Sequence, residues 1–291
     1  MTFGTFVLPN ALLEPLADPA ATLGIQQFSG YRASEQAREF QGKNSIFDAI
    51  LQKSHSLDLN YEDQCSAKYY FDLVRTLRDF HGEFDRVVEV GVYMGGSSNV
   101  LAGCIPSFNF DLDMVDVHIP YLHFSYERIR RLYPNCTGRI RLFHGDLPSY
   151  VRAVLNEDDG EKYVVHHDGS HEFNDVVRDM ASLSFIKERL CAIIAQDTHL
   201  RGTPKYMNFV DMAMYAVFGM DLQFAPIGCC YAARDPRTNP NIYEGNYFMP
   251  EAPEGFVLPM AFNKFKYPHP NMPMEQFVPP ECVSQPKAYA A

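Results

Sequence analysis

The feature that most restricts the fold is a series of short apolar segments, each ending in a polar residue or a glycine and followed by a helical pattern. These segments are residues 86–91, 110–118, 139–146, 162–169 and 190–197. The helical patterns cover 96–104, 122–133, 147–156, 172–186 and 205–219. Alternation of apolar strands with helices is typical of βαβ units around a parallel sheet. We therefore predict a doubly wound, mostly parallel α/β fold.

The segments on either side of this core have a different character. Residues 1–83 begin with a proline-containing stretch that lacks periodicity and continue with two helical patterns, which predicts an N-terminal arm and helical cap. Residues 222–235 are predicted to be a closing hairpin or pair of strands, which gives a seven-stranded, Rossmann-like core over 84–234. The segment 235–291 holds eleven of the twenty prolines and many aromatic residues. We expect it to be a wrap or lid, with a subunit-exchange arm as the alternative.

Composition limits the partners of the chain. It has 36 acidic and 25 basic residues, a formal net charge of −11 and no basic run, so it is poorly suited to bind nucleic acid or an anionic membrane. No apolar run approaches the ~20 residues of a membrane span. The seven cysteines form no CxxC pair, which indicates reduced thiols. We expect a cytoplasmic protein that binds a small molecule, and its state as monomer or homo-oligomer stays open.

A glycine-rich loop follows the first core strand. The sequence "EVGVYMGGSS" covers residues 89–98 and places glycines at 91, 95 and 96. Glycine allows a tight turn and a close approach to a ligand, and the amides at the start of the next helix can bind an anion. The spacing E-x-G-x-x-x-G-G differs from the G-x-G-x-x-G of dinucleotide-binding folds. The loop therefore favours an anionic or zwitterionic ligand other than a nicotinamide dinucleotide.

The loop also resembles a known motif. "VVEVGVYMGGSS" is similar to the first motif of class I S-adenosylmethionine-dependent methyltransferases. "HHDGSHEFNDVVRDM" and "AIIAQDTH" resemble pieces of the small-molecule O-methyltransferase branch that includes macrolide, aminocoumarin and cephamycin tailoring enzymes. The similarity covers about 84–220. It implies methyl transfer from S-adenosylmethionine to a hydroxyl of a small molecule, of the kind made in natural product biosynthesis.

The resemblance also implies a set of cofactor-binding residues. Asp116 stands where an acidic residue binds the ribose hydroxyls, and Asp146 stands where one lies near the adenine. Asp146 is equally well placed to cap the helix that follows it, so both interpretations stay open. The full set that we expect to bind the cofactor is Glu89, Gly91, Tyr93, Gly95, Gly96, Ser97, Ser98, Asp116, Asp146 and Asp168.

Asp168 and Asp197 end two successive strands, and ligands of such sheets bind outside the carboxyl ends of the strands. The resembling branch holds a divalent cation with carboxylates at these two positions and a third ligand beside the second. Here Gln196 and Thr198 flank Asp197, so the third ligand must be Thr198, His199, His171 or water. We assign the metal to Asp168, Asp197 and His199, with Mg²⁺ or Mn²⁺ as candidates. The alternative is that both acids cap backbone amides and bind no ion.

Histidine is the residue best suited to remove a proton at neutral pH. His171 lies in the turn after the fourth core strand and is our candidate general base, with His199 as the second choice. Three other functions stay open on the same fold. They are a metal-independent N-methyltransferase, a nicotinamide-dependent oxidoreductase and a non-catalytic binding protein.

Overall fold

The computed structural model describes residues 2–25, 37–56, 65–155, 160–203, 206–240 and 247–267. Within them, eight strands form one sheet in the order β1-β4-β3-β2-β5-β6-β11-β9, and three short strands form a second sheet in the order β10-β7-β8. The strands are β1 (Thr5–Val7), β2 (Arg86–Val90), β3 (Asp111–Asp116), β4 (Ile140–His144), β5 (Tyr163–His167), β6 (Leu190–Gln196), β7 (Leu200–Thr203), β8 (Tyr206–Met207), β9 (Ala225–Cys230), β10 (Tyr247–Phe248) and β11 (Pro253–Pro259).

Helices connect the strands of the large sheet. Strands β4, β3, β2, β5 and β6 are parallel, β11 is antiparallel to both of its neighbours, and β1 is antiparallel to β4. The described α-helices are α1 (Pro19–Thr22), α2 (Ser45–His55), α3 (Ala67–Asp79), α4 (Gly96–Phe108), α5 (Ile119–Leu132), α6 (Leu147–Leu155), α7 (Phe173–Ser182) and α8 (Val210–Phe218). The predicted α/β, Rossmann-like fold class is confirmed.

Alternation along the strands produces two hydrophobic cores, one on each face of the sheet. Val87 and Val164 belong to the core that contains the buried faces of α2, α3, α4 and α5. Val88 and Val165, one residue further along, belong to the core with α6, α7 and α8. Because both faces are covered, the central strands are mostly apolar on both faces, as parallel strands usually are.

The direction of winding reverses between β2 and β5. From β2 the chain proceeds through β3 to β4 on one side, and from β5 it proceeds to β6 on the other. Such a reversal leaves a crevice at the carboxyl ends of the two central strands, where this type of sheet binds ligands. The glycine-rich loop follows β2 and the segment at 168–171 follows β5, so both lie at this crevice.

Three expectations for the outer segments need correction. Residues 222–235 hold one strand, β9, instead of two. Its partner is β11, which comes from the segment expected to be a wrap or lid and lies between β6 and β9 inside the sheet. Strand β1 of the N-terminal arm also joins the sheet, which therefore has eight strands instead of seven.

The helical predictions hold for the core and shift at the cap. Helix α2 begins at Ser45, where Asn44 accepts hydrogen bonds from the amides of Ile46 and Phe47. Helix α3 begins at Ala67, capped by Ser66. The helical predictions covered 33–53 and 60–82, and residues 33–36 and 60–64 of them lie outside the described residues. None of the helices in the described part of the chain is long and apolar enough to cross a bilayer.

A buried carboxylate ties the amino ends of the central strands together. Asp113 in β3 is fully buried and accepts hydrogen bonds from Arg86 (3.0 Å), from Arg141 (2.9 and 2.7 Å) and from the hydroxyl of Tyr150 (2.6 Å). Each charge in this group has a partner, as buried charges require. The group lies at the end of the sheet opposite the crevice, which makes its role one of stability.

We predict that Asp113→Ala lowers the free energy of unfolding by about 3–5 kcal/mol, because it removes the buried carboxylate that pairs with the buried Arg86 and accepts from the buried Tyr150 hydroxyl, although Arg86 keeps Glu161 as a partner. Urea denaturation would measure the loss. The matched control is Asp111→Ala, because Asp111 pairs with the same Arg86 at 3.4 Å but its side chain is 36% exposed. That change should cost about 1 kcal/mol or less. Equal losses for the two variants would contradict this account.

Candidate functional site

The glycine turn after β2 packs directly against the end of β5. Gly91 has a φ of 80°, and a Cβ atom built on it would lie 2.1 Å from the carbonyl oxygen of Asp168. The amide of Asp168 donates to the carbonyl of Val90 at 2.8 Å, and the amide of Gly91 donates to the carbonyl of Val115 at 2.9 Å. Both the positive φ and the lack of space require glycine at position 91. The turn therefore fixes the backbone of Asp168.

The helix after this turn begins without a side-chain cap. Gly95 occupies the N-cap position of α4 in the left-handed conformation, with a φ of 75°. A side chain there would contact Ser125, since the Cβ position lies 2.8 Å from the Ser125 Oγ. Tyr93, in the same loop, also has a positive φ, of 39°. Helix N-termini carry a partial positive charge and unpaired amides, so this one can bind an anion.

Glu89 lies behind the loop instead of facing a cavity. Its side chain is fully buried, accepts a hydrogen bond from the Ser97 hydroxyl at 2.6 Å, and lies 3.9 Å from Nδ1 of His166. Burial raises the pKa of Glu89 to about 8, although hydrogen bonds from Ser97 and Ser98 oppose the shift. The side chain therefore supports the start of α4 from below. It does not line either of the two cavities described next.

The larger cavity has a volume of about 320 Å³ and opens at the crevice between β2 and β5. Asp116 lies in its wall, and its two oxygens accept hydrogen bonds from the amides of Val92 (2.9 Å) and His118 (2.7 Å). Burial raises the pKa of Asp116, and these backbone hydrogen bonds limit the rise. Tyr93 and His118 each contact the ring of Tyr121 edge to face, at 5.2 and 5.4 Å.

Among the residues of this wall, Asp146 takes the capping role. One oxygen accepts from the amide of Ser149 at 3.0 Å, and the other accepts from Arg178 at 3.0 Å. Asp146 also lines the larger cavity, so it borders the ligand space with both oxygens engaged. The sequence did not identify Tyr121 and Arg178 as wall residues. Nothing in the sequence marked these two residues as part of a site, because each lies on a helix whose other residues are explained by packing.

A second cavity of about 210 Å³ adjoins the first. The helical cap contributes Cys65 and Tyr70 to its wall, the start of α4 contributes Gly96 and Ser97, and the end of β6 contributes Gln196 and Asp197. The two cavities share four wall residues, which are Tyr93, Asp168, Gly169 and His171. The glycine loop and the acids that end β5 and β6 therefore border two adjoining cavities.

Three side chains converge where the cavities meet. Nε2 of His171 lies 3.1 Å from Oδ2 of Asp197 and 3.7 Å from Oδ1 of Asp168. One ligand atom from each of the three residues lies within 4.8 Å of the others, which is compatible with a shared metal ion. Among the described residues, these three form the group of possible metal-ligand side chains whose ligand atoms all lie that close together.

The pKa values of the three groups reflect their mutual contact. Burial raises the pKa of Asp168 to about 6, an effect that His171 opposes and Asp197 reinforces. For Asp197 the effect of burial is outweighed by His171, and its pKa is lowered. Burial acts to lower the pKa of His171, but the two carboxylates outweigh it and raise that pKa to about 10. Without a metal ion, His171 is thus an imidazolium at neutral pH.

His199, predicted as a metal ligand and alternative base, lies elsewhere. Its ring is 3% exposed, stacks on Tyr231 at 5.6 Å and contacts Phe248 at 4.7 Å. Burial lowers its pKa to about 4. It lines neither cavity and does not belong to the cluster of Asp168, His171 and Asp197. The metal assignment to His199 is therefore wrong in this structure, because the ring turns into the aromatic packing of the small sheet.

The remaining histidines of "VVHHDGSH" have structural partners. His166 and His167 are both buried, and they point to opposite faces of β5. Nε2 of His166 is 2.9 Å from the hydroxyl of Tyr69, and Nε2 of His167 is 3.0 Å from Asp179. They anchor the strand that presents Asp168.

The fold is similar to that of many solved structures at low sequence identity. An O-methyltransferase from Bacillus cereus, in complex with S-adenosylhomocysteine, is 17% identical, with 57% of this chain and 72% of that chain covered at a TM-score of 0.40. A putative O-methyltransferase from Klebsiella pneumoniae is 14% identical, with 78% and 94% covered at 0.43. TrmK from M. capricolum, in complex with S-adenosylhomocysteine, is 8% identical, with 66% and 69% covered at 0.40.

The sequence matches no protein-family model and no curated protein. Several of the similar structures are described as O-methyltransferases. Because their TM-scores are all below 0.5, they do not assign this chain to a family.

We predict that Gly91→Ala destabilises the fold by at least about 2 kcal/mol, because the methyl group would overlap the carbonyl of Asp168 and the φ is unfavourable for alanine. Thermal or urea unfolding would measure the loss. Gly138→Ala is the matched control, since no atom lies within 4 Å of its Cβ position and its φ is not positive. If Gly91→Ala were as stable as Gly138→Ala, the close contact between the two turns would not exist.

Glu89 should make stability depend on pH. The native state holds its proton up to about pH 8, whereas the unfolded chain loses it near pH 4.5, so this contribution to stability falls as the pH rises between these values. We predict that Glu89→Gln weakens the fall in stability between about pH 5 and pH 8, as measured by urea denaturation. The exposed Glu188→Gln is the control and should keep the wild-type dependence. An unchanged pH dependence in Glu89→Gln would refute the prediction.

Proposed function

We propose that this chain is a methyltransferase that transfers the methyl group of S-adenosylmethionine to a hydroxyl of a small molecule, with a divalent cation at Asp168 and Asp197. The observation that carries the proposal is the pair of adjoining cavities. Their common wall contains Tyr93, Asp168 and His171. A donor with its nucleoside part in the larger cavity and its methionine part reaching the smaller one would meet an acceptor beside the acidic cluster.

The larger cavity has features that suit the nucleoside part of the donor. Its volume of about 320 Å³ falls at the lower end of the ~300–1,000 Å³ of typical ligand pockets. The oxygens of Asp116 accept hydrogen bonds from backbone amides, including those of Val92 and His118, and a carboxylate has about four acceptor sites, so it can also bind ribose hydroxyls. Tyr121 and His118 offer an aromatic wall next to it. The uncapped start of α4, in the wall of the adjoining smaller cavity, can receive the carboxylate of the methionine part.

The residues of the acidic cluster also fit a divalent cation. Two carboxylates and one imidazole supply the oxygen and nitrogen donors that such ions accept. Nε2 of His171 is shielded from solvent and makes no well-aligned hydrogen bond within the described residues, although it lies 3.1 Å from Asp197. A bound cation would lower the pKa of an acceptor hydroxyl and orient it. This supports an acceptor that carries two oxygens on adjacent carbons.

The reaction follows from these positions. The hydroxyl oxygen of the acceptor attacks the methyl carbon, a carbon–oxygen bond forms as the carbon–sulfur bond breaks, and S-adenosylhomocysteine leaves as a neutral thioether. The hydroxyl proton passes to water at the open side of the cleft. The chain contributes mainly alignment, which can supply roughly 7–11 kcal/mol in reactions of this type. Gly91, Asp116 and Asp168 perform that alignment in our proposal.

His171 takes a different role from the general base expected from the sequence. In the metal-free site its pKa of about 10 makes it a cation at neutral pH, and a cation cannot accept a proton. In a metal-bound site its Nε2 lone pair would be shared with the ion. His199 is neutral but lines neither cavity. We therefore propose His171 as a ligand or charge partner of Asp168 and Asp197.

The acceptor belongs, in our proposal, to natural product chemistry, and the setting is cytoplasmic. The smaller cavity combines the polar cluster with Cys65 and Tyr70, which suits a compact polar acceptor instead of a polymer. The described cysteines are all free thiols, a state that a reducing compartment maintains.

Calorimetric titration with S-adenosylhomocysteine tests the proposal. We expect the wild-type chain to bind it and Asp116→Asn to bind it roughly 10- to 100-fold more weakly, because hydrogen bonds to a charged group are lost. Asp221→Asn is the control, since Asp221 lies on the surface with its side chain 76% exposed. Absence of binding by the wild-type chain at millimolar ligand would reject the proposed function. Unaltered affinity in Asp116→Asn would reject the role of Asp116.

A further inference from the structure

His171 gives the cation site a nitrogen donor that the sequence pattern had placed elsewhere. It lies three residues after Asp168, so the two come from one turn, and Asp197 comes from the next strand. The ligand atoms of the three residues all lie within 4.8 Å of one another. The site thus combines two carboxylate oxygens with one imidazole nitrogen.

The backbone holds this nitrogen donor in place. The carbonyl of His171 accepts a hydrogen bond from the amide of Phe209 at 3.1 Å, and the amide of Asp168 donates to Val90 at 2.8 Å. Between them, the Ser170 hydroxyl donates to Asp175 of helix α7 at 3.1 Å. Both ends of the turn are therefore anchored to different elements. The backbone that carries the imidazole is therefore held beside the carboxylates by the fold.

A buried amide beside the cluster points to a ligand in the same space. Gln196 is 3% exposed and lines the smaller cavity together with the three residues of the cluster. Its amide nitrogen donates to the sulfur of Cys65 at 2.9 Å, but its amide oxygen has no hydrogen-bond partner within the described residues. A buried acceptor without a partner is costly. A water molecule on a bound cation would satisfy it.

The donor set discriminates between classes of divalent ion. Mg²⁺ takes oxygen ligands, keeps several waters and is rarely bound through imidazole. Imidazole suits Zn²⁺, Fe²⁺ and neighbouring first-row ions, and for these ions affinity rises from Mn²⁺ through Fe²⁺ to Co²⁺. We propose that Asp168, His171 and Asp197 form a transition-metal site that is selective against Mg²⁺, with His171 as the ligand that provides the selectivity.

This inference rests on the metal site of the proposed function but not on methyl transfer. It predicts that the metal-free chain binds Co²⁺ with a visible absorption spectrum that reports nitrogen ligation, and that His171→Asn changes this binding. Asparagine removes the nitrogen donor and keeps a polar side chain, whose amide oxygen lies closer to the backbone than the Nε2 atom that it replaces. We expect Co²⁺ affinity to fall at least about tenfold in His171→Asn, while Mg²⁺ affinity, measured by calorimetry, changes by less than about threefold.

The ratio of the two affinities is the diagnostic quantity, because transition ions bind more tightly than Mg²⁺ even to many all-oxygen sites. His81→Asn is the matched control, since His81 is exposed, follows helix α3 and lies outside the cluster. It should retain both affinities and the spectrum. The inference would be overturned if the ratio of Co²⁺ affinity to Mg²⁺ affinity were the same in His171→Asn as in the wild-type chain. It would also be overturned if the wild-type chain bound Mg²⁺ as tightly as Co²⁺.

Titration of the same samples with S-adenosylhomocysteine separates the two proposals. If the nucleoside binds but the His171-dependent selectivity is absent, the inference about the metal fails and the proposed function stands. If Co²⁺ binds through His171 but the nucleoside does not bind, the metal site stands and the proposed function fails. Thermal unfolding of His171→Asn without metal would verify that the variant is folded.

Discussion

The contact between Gly91 and the backbone of Asp168 determines the geometry of the whole site. It joins the two central strands at the place where the sheet reverses its direction of winding, through a hydrogen bond of 2.8 Å from Asp168 to Val90. It also places the glycine loop after β2 and the turn at 168–171 within van der Waals distance of each other. A larger residue at position 91 would push the two turns apart, and the cavities on either side would no longer share a wall.

The crevice collects negative charge, and the fold compensates for it locally. Asp116, Asp168 and Asp197 all end strands at the same edge of the sheet. Asp116 accepts two backbone amides, whereas Asp168 and Asp197 share the single imidazole of His171. Two carboxylates with one cationic partner leave a net negative charge. Burial raises the pKa of Asp168, and the neighbouring charge of Asp197 adds to the rise. Such a pair of carboxylates attracts a cation, so we propose the metal site at Asp168 and Asp197 and not at Asp116.

The sequence predicted the centre of the fold well and its outer strands poorly, for a physical reason. The five strands from β2 to β6 are buried on both faces, so they appear as continuous apolar runs. Strand β11 was missed because prolines surround it, and prolines normally indicate irregular structure. However, Pro253 and Pro259 are its first and last residues, so no hydrogen bond is lost in the interior of the strand. Strand β1 has only three residues, mostly exposed, and so shows no pattern.

The same missed strand explains why the third candidate ligand was misassigned. Asp197 has a positive φ of 57°, which turns the chain sharply after β6. Strand β11 then holds Thr198, the next residue. The amide of Thr198 donates to the carbonyl of Glu254, and its hydroxyl donates to the carbonyl of Pro253. These bonds hold Thr198 against the sheet and direct His199 into the aromatic packing of Tyr231 and Phe248. With both residues removed from the cleft, the position beside the carboxylates is left to His171, which reaches it from the other turn.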